Sequence, residues 1–235
     1  MPYPAIALIS VIIFALVHLF ARSTRGLNKR THGRFLSAGG GVAIAYVFVD
    51  LLPKLCDSNV VVEQALAGVF PYFERHVFVM ALVGFLLFFF VNQSHTLFKK
   101  ENAFWVSFAS YALFNFMVGY AVVDKDDPDV QPLALFTFAL ALHYFVNDYT
   151  LNKEHGKIYN HVGKWVLVVS LFLGWLVGVW ITLPAAGIAL VGAFIAGGVI
   201  MNVIRHELPA DNPHSLSAFM LSALGYTVVL LSIGA

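Results

Sequence analysis

The chain has 235 residues, of which 60% are hydrophobic and 11% charged, and its mean hydropathy is +0.80. A soluble domain keeps about a quarter of its residues charged, so a water-soluble globule is excluded. Gly, Pro and Cys counts of 18, 9 and 1 exclude a collagen, a disordered tail and a disulfide scaffold, and a net charge of +1 leaves no basic surface for nucleic acid. What remains is a polytopic membrane protein, with residues 1–235 forming one transmembrane domain in contact with the lipid bilayer.

A hydrocarbon core of ~30 Å needs roughly 20 apolar residues of helix. Eight such stretches are predicted, at about 3–21, 36–54, 77–98, 103–123, 132–150, 162–182, 185–206 and 215–234. Pro53, Pro132, Pro184 and Pro209 fall at their edges, where a missing N–H costs least. No Lys or Arg precedes the first apolar run, so it reads as an uncleaved helix and not as a signal peptide.

Lys and Arg in short loops set orientation. Arg22, Arg25, Lys29, Arg30 and Arg34 follow the first span, Lys99 and Lys100 the third, and Lys153, Lys157 and Lys164 the fifth. The opposite side holds Lys54, Arg75 and Lys125, together with Asp57, Glu63, Glu74, Asp124, Asp126, Asp127 and Asp129. The odd-numbered connections are therefore expected in the cytoplasm and both termini outside. For a bacterial inner membrane, outside means the periplasm.

The second span closes with a run from Gly40-Gly41-Val42 to Asp50-Leu51-Leu52-Pro53, and the seventh with one from Ala196-Gly197-Gly198 to His206-Glu207-Leu208-Pro209. Each has small residues, an apolar run, an ionisable group and a Leu-Pro exit. One should run outward and the other inward. This pattern predicts an inverted-topology repeat relating the first three spans to the last three, a plan whose sites lie between the halves near the midplane.

Ionisable groups inside a bilayer are costly and point to function. His143 sits in the middle of the fifth span and Asn147 lies four residues on, on the same helix face. Asp148 follows, turned by about 100°, and Asn115 lies in the middle of the fourth span. His18 lies towards the cytoplasmic end of the first span, while Asp50 and the His206-Glu207 pair mark the ends of the second and seventh. Imidazole nitrogen and carboxylate oxygen suit a borderline metal such as zinc. A lone membrane His or Asn serves equally as interhelical glue. The spacing predicts that His143, Asn147 and Asn115 converge on one polar spot. His32, His95, Glu154, His155, His161, Asp211 and His214 lie on the cytoplasmic side, without tight metal-ligand spacing.

With eight spans and both termini outside, the chain resembles the ZIP family of divalent-metal transporters. The resemblance lies in Asp50-Leu51-Leu52-Pro53, in the aromatic run from Gly84 to Phe90, and in the segment from Phe194-Ile195-Ala196-Gly197 to Leu208-Pro209. The family's fourth helix reads His-Asn-x-x-Asp-Gly, whereas this chain has Phe114-Asn115-Phe116-Met117-Val118-Gly119. The family's fifth helix reads His-Glu-x-x-His-Glu, and here the stretch is His143-Tyr144-Phe145-Val146-Asn147-Asp148.

The resemblance thus implies an all-helical ZIP-like fold that moves a divalent metal, zinc or a related ion, or another cation, as substrate through a reduced intramembrane site. The metal-site candidates are His143, Asn147, Asp148 and Asn115, with Asp50, His206 and Glu207 at the helix ends. A two-ion site rich in carboxylates is not expected, since neutral amides compensate a dehydrated divalent ion weakly. The alternative is a non-transporting homologue acting as a membrane scaffold or sensor, and a homodimer is compatible with either. No Ser or Cys nucleophile motif accompanies His143 and Asp148, so an enzyme is not expected. No mid-span Lys supports a retinal Schiff base, and a haem would need His18 and His143 at one depth.

Overall fold

A computed structural model describes residues 3–20, 29–67, 75–97, 100–123, 130–207 and 215–233. Among them there is no strand. The helices are α1 (Tyr3–Phe20), α2 (Lys29–Tyr46), α3 (Leu52–Leu66), α4 (His76–Leu97), α5 (Lys100–Ala121), α6 (Val130–Ile158), α7 (Lys164–Trp180), α8 (Ala185–Glu207) and α9 (Leu216–Ile233). A π-helical turn, Val47–Leu51, joins α2 to α3, and another, Tyr159–Gly163, joins α6 to α7. Seven continuous helical runs are long and apolar enough to cross a membrane.

Two runs are longer than the sequence predicts. The second continues past Pro53 to Leu66. The π turn makes this workable: Leu52 N–H bonds back to Val47, and Pro53 falls in the first turn of α3, where its missing N–H is tolerated. The fifth passes residue 150 and continues to Ile158, with non-helical geometry only at Gly156 (φ 17°, ψ −84°).

The chain reverses direction there. Thr137 bonds Ser10 at 2.7 Å and Asp148 bonds His18 at 2.7 Å, so α6 runs alongside α1 in the same sense. Beyond the break, Tyr159 reaches the His18 carbonyl at 3.4 Å and Trp175 the Pro4 carbonyl at 3.2 Å, so α7 runs back along α1 in the opposite sense. Tyr120 pins the next corner: its hydroxyl donates to the Ile181 carbonyl at 3.0 Å and accepts from Leu183 N–H at 2.8 Å.

The helix faces are sorted as a membrane requires. On α1 the inner stripe is Ala7, Ser10, Val11, Phe14, Ala15 and His18, and the outer face exposes Ile9, Ile12, Ile13, Leu16 and Phe20. Lipid gives apolar side chains no reason to leave the surface, so helices associate through close packing of small residues and through internal polar bonds. Three helix pairs pack most closely: α4 on α8, α5 on α7 and α2 on α9. Each has glycine where backbones touch. A Cβ on Gly84 would fall on the Phe194 carbonyl, one on Gly197 on the Ala81 carbonyl, one on Gly119 on the Leu171 carbonyl, one on Gly174 on the Phe116 carbonyl, and one on Gly41 on the Phe219 carbonyl.

Candidate functional site

Three helices each bring one buried polar side chain to a common point. His18 of α1 is 2% exposed, and Asn115 of α5 and Asp148 of α6 are each 1% exposed. His18 Nδ1 lies 2.7 Å from Asp148 Oδ2, and His18 Nε2 lies 2.7 Å from Asn115 Oδ1. Asn115 donates its Nδ2 to the Tyr111 carbonyl one turn back, at 2.8 Å. That bond fixes the amide with its oxygen towards the imidazole. Both ring nitrogens therefore face oxygens: Nε2–H donates to the Asn115 amide oxygen, and one proton lies between Nδ1 and the Asp148 carboxyl. The centre is an imidazole–carboxyl pair capped by an amide oxygen. Buried polar groups of this kind persist in hydrocarbon because each is the other's partner.

A second polar pair lies on the neighbouring turn of α6. Asn147 Nδ2 donates to His143 Nε2 at 2.9 Å, and the His143 ring packs 5.9 Å from Phe114. The predicted residues thus form two groups: His143 with Asn147, and Asn115 with Asp148 through His18. His18 is the hub between α1, α5 and α6. Its signal in the sequence was its place on the stripe Ala7, Val11, Phe14, His18, which also holds Ser10. Asp50 lies far along the fold, on the π turn after α2, where it pairs with Lys54 at 3.2 Å. The side chains of His206 and Glu207 lie outside the described residues, as do those of His32, His95, Asp211 and His214. His155 packs against Phe104, with rings 5.2 Å apart.

The polar centre is flanked on both sides. Towards the C-terminal end of α8, Tyr111 donates to Asn202 Oδ1 at 3.3 Å, and beyond it Arg205 bonds Glu154 at 2.8 Å, tying α8 to α6. Towards the opposite end, a cavity of about 430 Å³ opens between the starts of α1, α6 and α8 and the ends of α2 and α5. Its walls include Leu55, Leu133, Ile188 and Ile195, with Lys54, Asp57 and Ser58 also lining it. Tyr46 and Phe136 line it too, their rings 5.8 Å apart. From there aromatic rings run inwards: Phe136 to Phe14 at 6.4 Å, Phe14 to Tyr144 at 5.2 Å, and Tyr144 to His18 at 4.7 Å. An aromatic partition thus separates the cavity from His18.

Phe114 and Val118 are fully buried at the two positions where the resemblance would place a His and an Asp. Among the described residues, no three His, Cys, Asp or Glu side chains gather as a metal cage. No protein-family model matches the chain, and no curated protein matches it either.

Proposed function

We propose that the chain is a ZIP-like membrane transporter of a small cation, working through a reduced intramembrane site centred on His18, Asp148 and Asn115. In this reading it crosses the membrane eight times. The run Val130–Trp180 counts twice, because 51 residues of straight helix would be about 77 Å long against a core of ~30 Å. The reversal at Gly156 supplies the extra crossing.

The observation that carries the reading is the exchange of helix contacts expected of an inverted repeat. If the first three spans map onto the last three, the contact of the third span with the seventh becomes that of the eighth with the second. Both are present, as α4 on α8 and α2 on α9. The sequence pairing that aligns Gly40 with Ala196 also aligns Gly41 with Gly197. These are the two glycines at which α2 meets α9 and α8 meets α4. Such a frame moves solutes by rocking one half against the other around a fixed site. The cavity at one end and the Glu154–Arg205 tie at the other fit a state open to one side only.

With both termini outside, Lys54 and Glu154 lie on opposite faces of the membrane. In a Cys56→Ser background, Lys54→Cys should react with an impermeant maleimide from the periplasmic side and Glu154→Cys only after the membrane is opened. Labelling of both from one side would refute the topology.

The donor set also bears on the ion. With Phe114 and Val118 in place, calorimetry should give no pair of tight zinc sites. Two zinc ions bound at submicromolar affinity would overturn that expectation. Purified protein in liposomes, offered a panel of mono- and divalent cations, should move at least one of them, and Asp148→Asn should abolish the movement. If no cation moves, a membrane scaffold or sensor takes the place of the transporter.

A further inference from the structure

We infer that the substrate of this centre is a small primary ammonium ion, a protonated alkylamine held by Asp148, Asn147 and Tyr144 of α6. The inference rests on the cation-transport reading above. The nitrogens argue against a metal first. Both nitrogens of His18 point at acceptors, and His143 Nε2 accepts from Asn147. All three are engaged in hydrogen bonds, so a borderline metal would have to displace a partner to reach any of them.

Oxygen is what remains open. Asn147 Oδ1 and the Tyr144 hydroxyl are buried and take no hydrogen bond from the described residues, and Asp148 Oδ1, which the Tyr159 hydroxyl approaches, keeps a lone pair to spare. Their residues are 3%, or less, exposed. At 144, 147 and 148 they occupy one turn of α6, so they project to neighbouring directions. Buried acceptors of this kind are costly until a donor reaches them. An R–NH3⁺ group carries three N–H donors, one for each acceptor. An alkali ion asks for a fuller shell of oxygens, as channel filters supply it. Asp148 is already balanced by His18, so a single added charge is tolerated better than two.

The approach suits the same class. A hydrated divalent ion entering the cavity would exchange its water for largely apolar walls, at great cost. An alkylammonium brings an apolar end for those walls, and its charge gains from the faces of Tyr46, Phe136 and Phe14 on the way in. Phe14 and Phe114, whose rings lie 5.2 Å and 6.2 Å from that of Tyr144, would receive the alkyl group.

The test is equilibrium binding of radiolabelled methylamine to the full chain in detergent at pH 7, read by scintillation proximity. A simple amine is protonated there, as lysine is with its pKa of ~10.4. Saturable binding should be displaced by ammonium and ethylammonium chloride and not by sodium or potassium chloride at equal ionic strength. Tyr144→Phe and Asn147→Leu should each weaken it about tenfold or more. Because the Tyr144 hydroxyl has no protein partner, Tyr144→Phe should keep or raise the melting temperature, which separates lost binding from lost fold. Absence of saturable binding, or binding untouched by both changes, overturns the inference and leaves water to fill the acceptors. If liposomes then move zinc or potassium, the cation-transport reading survives without the amine. If they move nothing and no amine binds, both fall.

Discussion

Replacing Asp148 with Leu should be the most damaging single change in the buried centre, lowering stability by about 3–5 kcal/mol, the usual loss when one member of a buried ion pair is removed. The reason is the partner left behind. His18 Nδ1 would lose its partner at 2.7 Å, while its other nitrogen stays committed to Asn115 at 2.7 Å. The double change His18→Leu with Asp148→Leu removes both partners. Its remaining penalty is the Asn115 oxygen that has lost its donor, about 1–3 kcal/mol. The double variant should therefore be more stable than Asp148→Leu alone. Denaturant unfolding in mixed micelles measures the cycle. Simple addition of the two single losses would mean that His18 and Asp148 do not act as a pair.

This pair also marks where the sequence stops being informative. Asn115 and Asp148 stood out because amides and carboxylates are rare inside apolar runs, and His143 with Asn147 was legible from i, i+4 spacing alone. Their partners were not. The sequence predicts that the fifth span stops near residue 150, with Asp148 close to its cytoplasmic end. The helix instead runs on to the break at Gly156, about a turn and a half further, and Asp148 is buried. His18 lies close to the end of the predicted first span, although its neighbours on the inner stripe of α1 are all buried. Hydropathy finds where apolar segments lie, but it is blind to how far a helix runs through polar residues once other helices shield them. The continuation of α2 past Pro53 has a different cause, since proline signals an end only where no π turn accommodates it.

Gly41→Val and Gly197→Val should destabilise the protein to a similar degree, each at or above the top of the usual overpacking range of about 1–3 kcal/mol. In both, the new Cβ falls on a carbonyl of the neighbouring helix, Phe219 for one and Ala81 for the other; at Gly41 the Ser222 hydroxyl is also in the way and could rotate, but the carbonyl could not. Relief would require α2 to move off α9, or α8 off α4, and these are two of the closest helix pairs in the fold. Gly225 in α9 supplies the contrast: a Cβ there meets nothing within 4 Å. Gly225→Ala should be neutral or stabilise by up to about 1 kcal/mol, the difference in helix propensity. Melting temperatures of the three variants in one detergent decide the matter. Tolerance of Val at Gly197 with damage at Gly41 would break the equivalence on which the inverted repeat rests, because symmetry places both glycines at one contact seen twice. Equal damage at both, with none at Gly225, would locate two rigid helix seams, the pair that the proposed repeat relates.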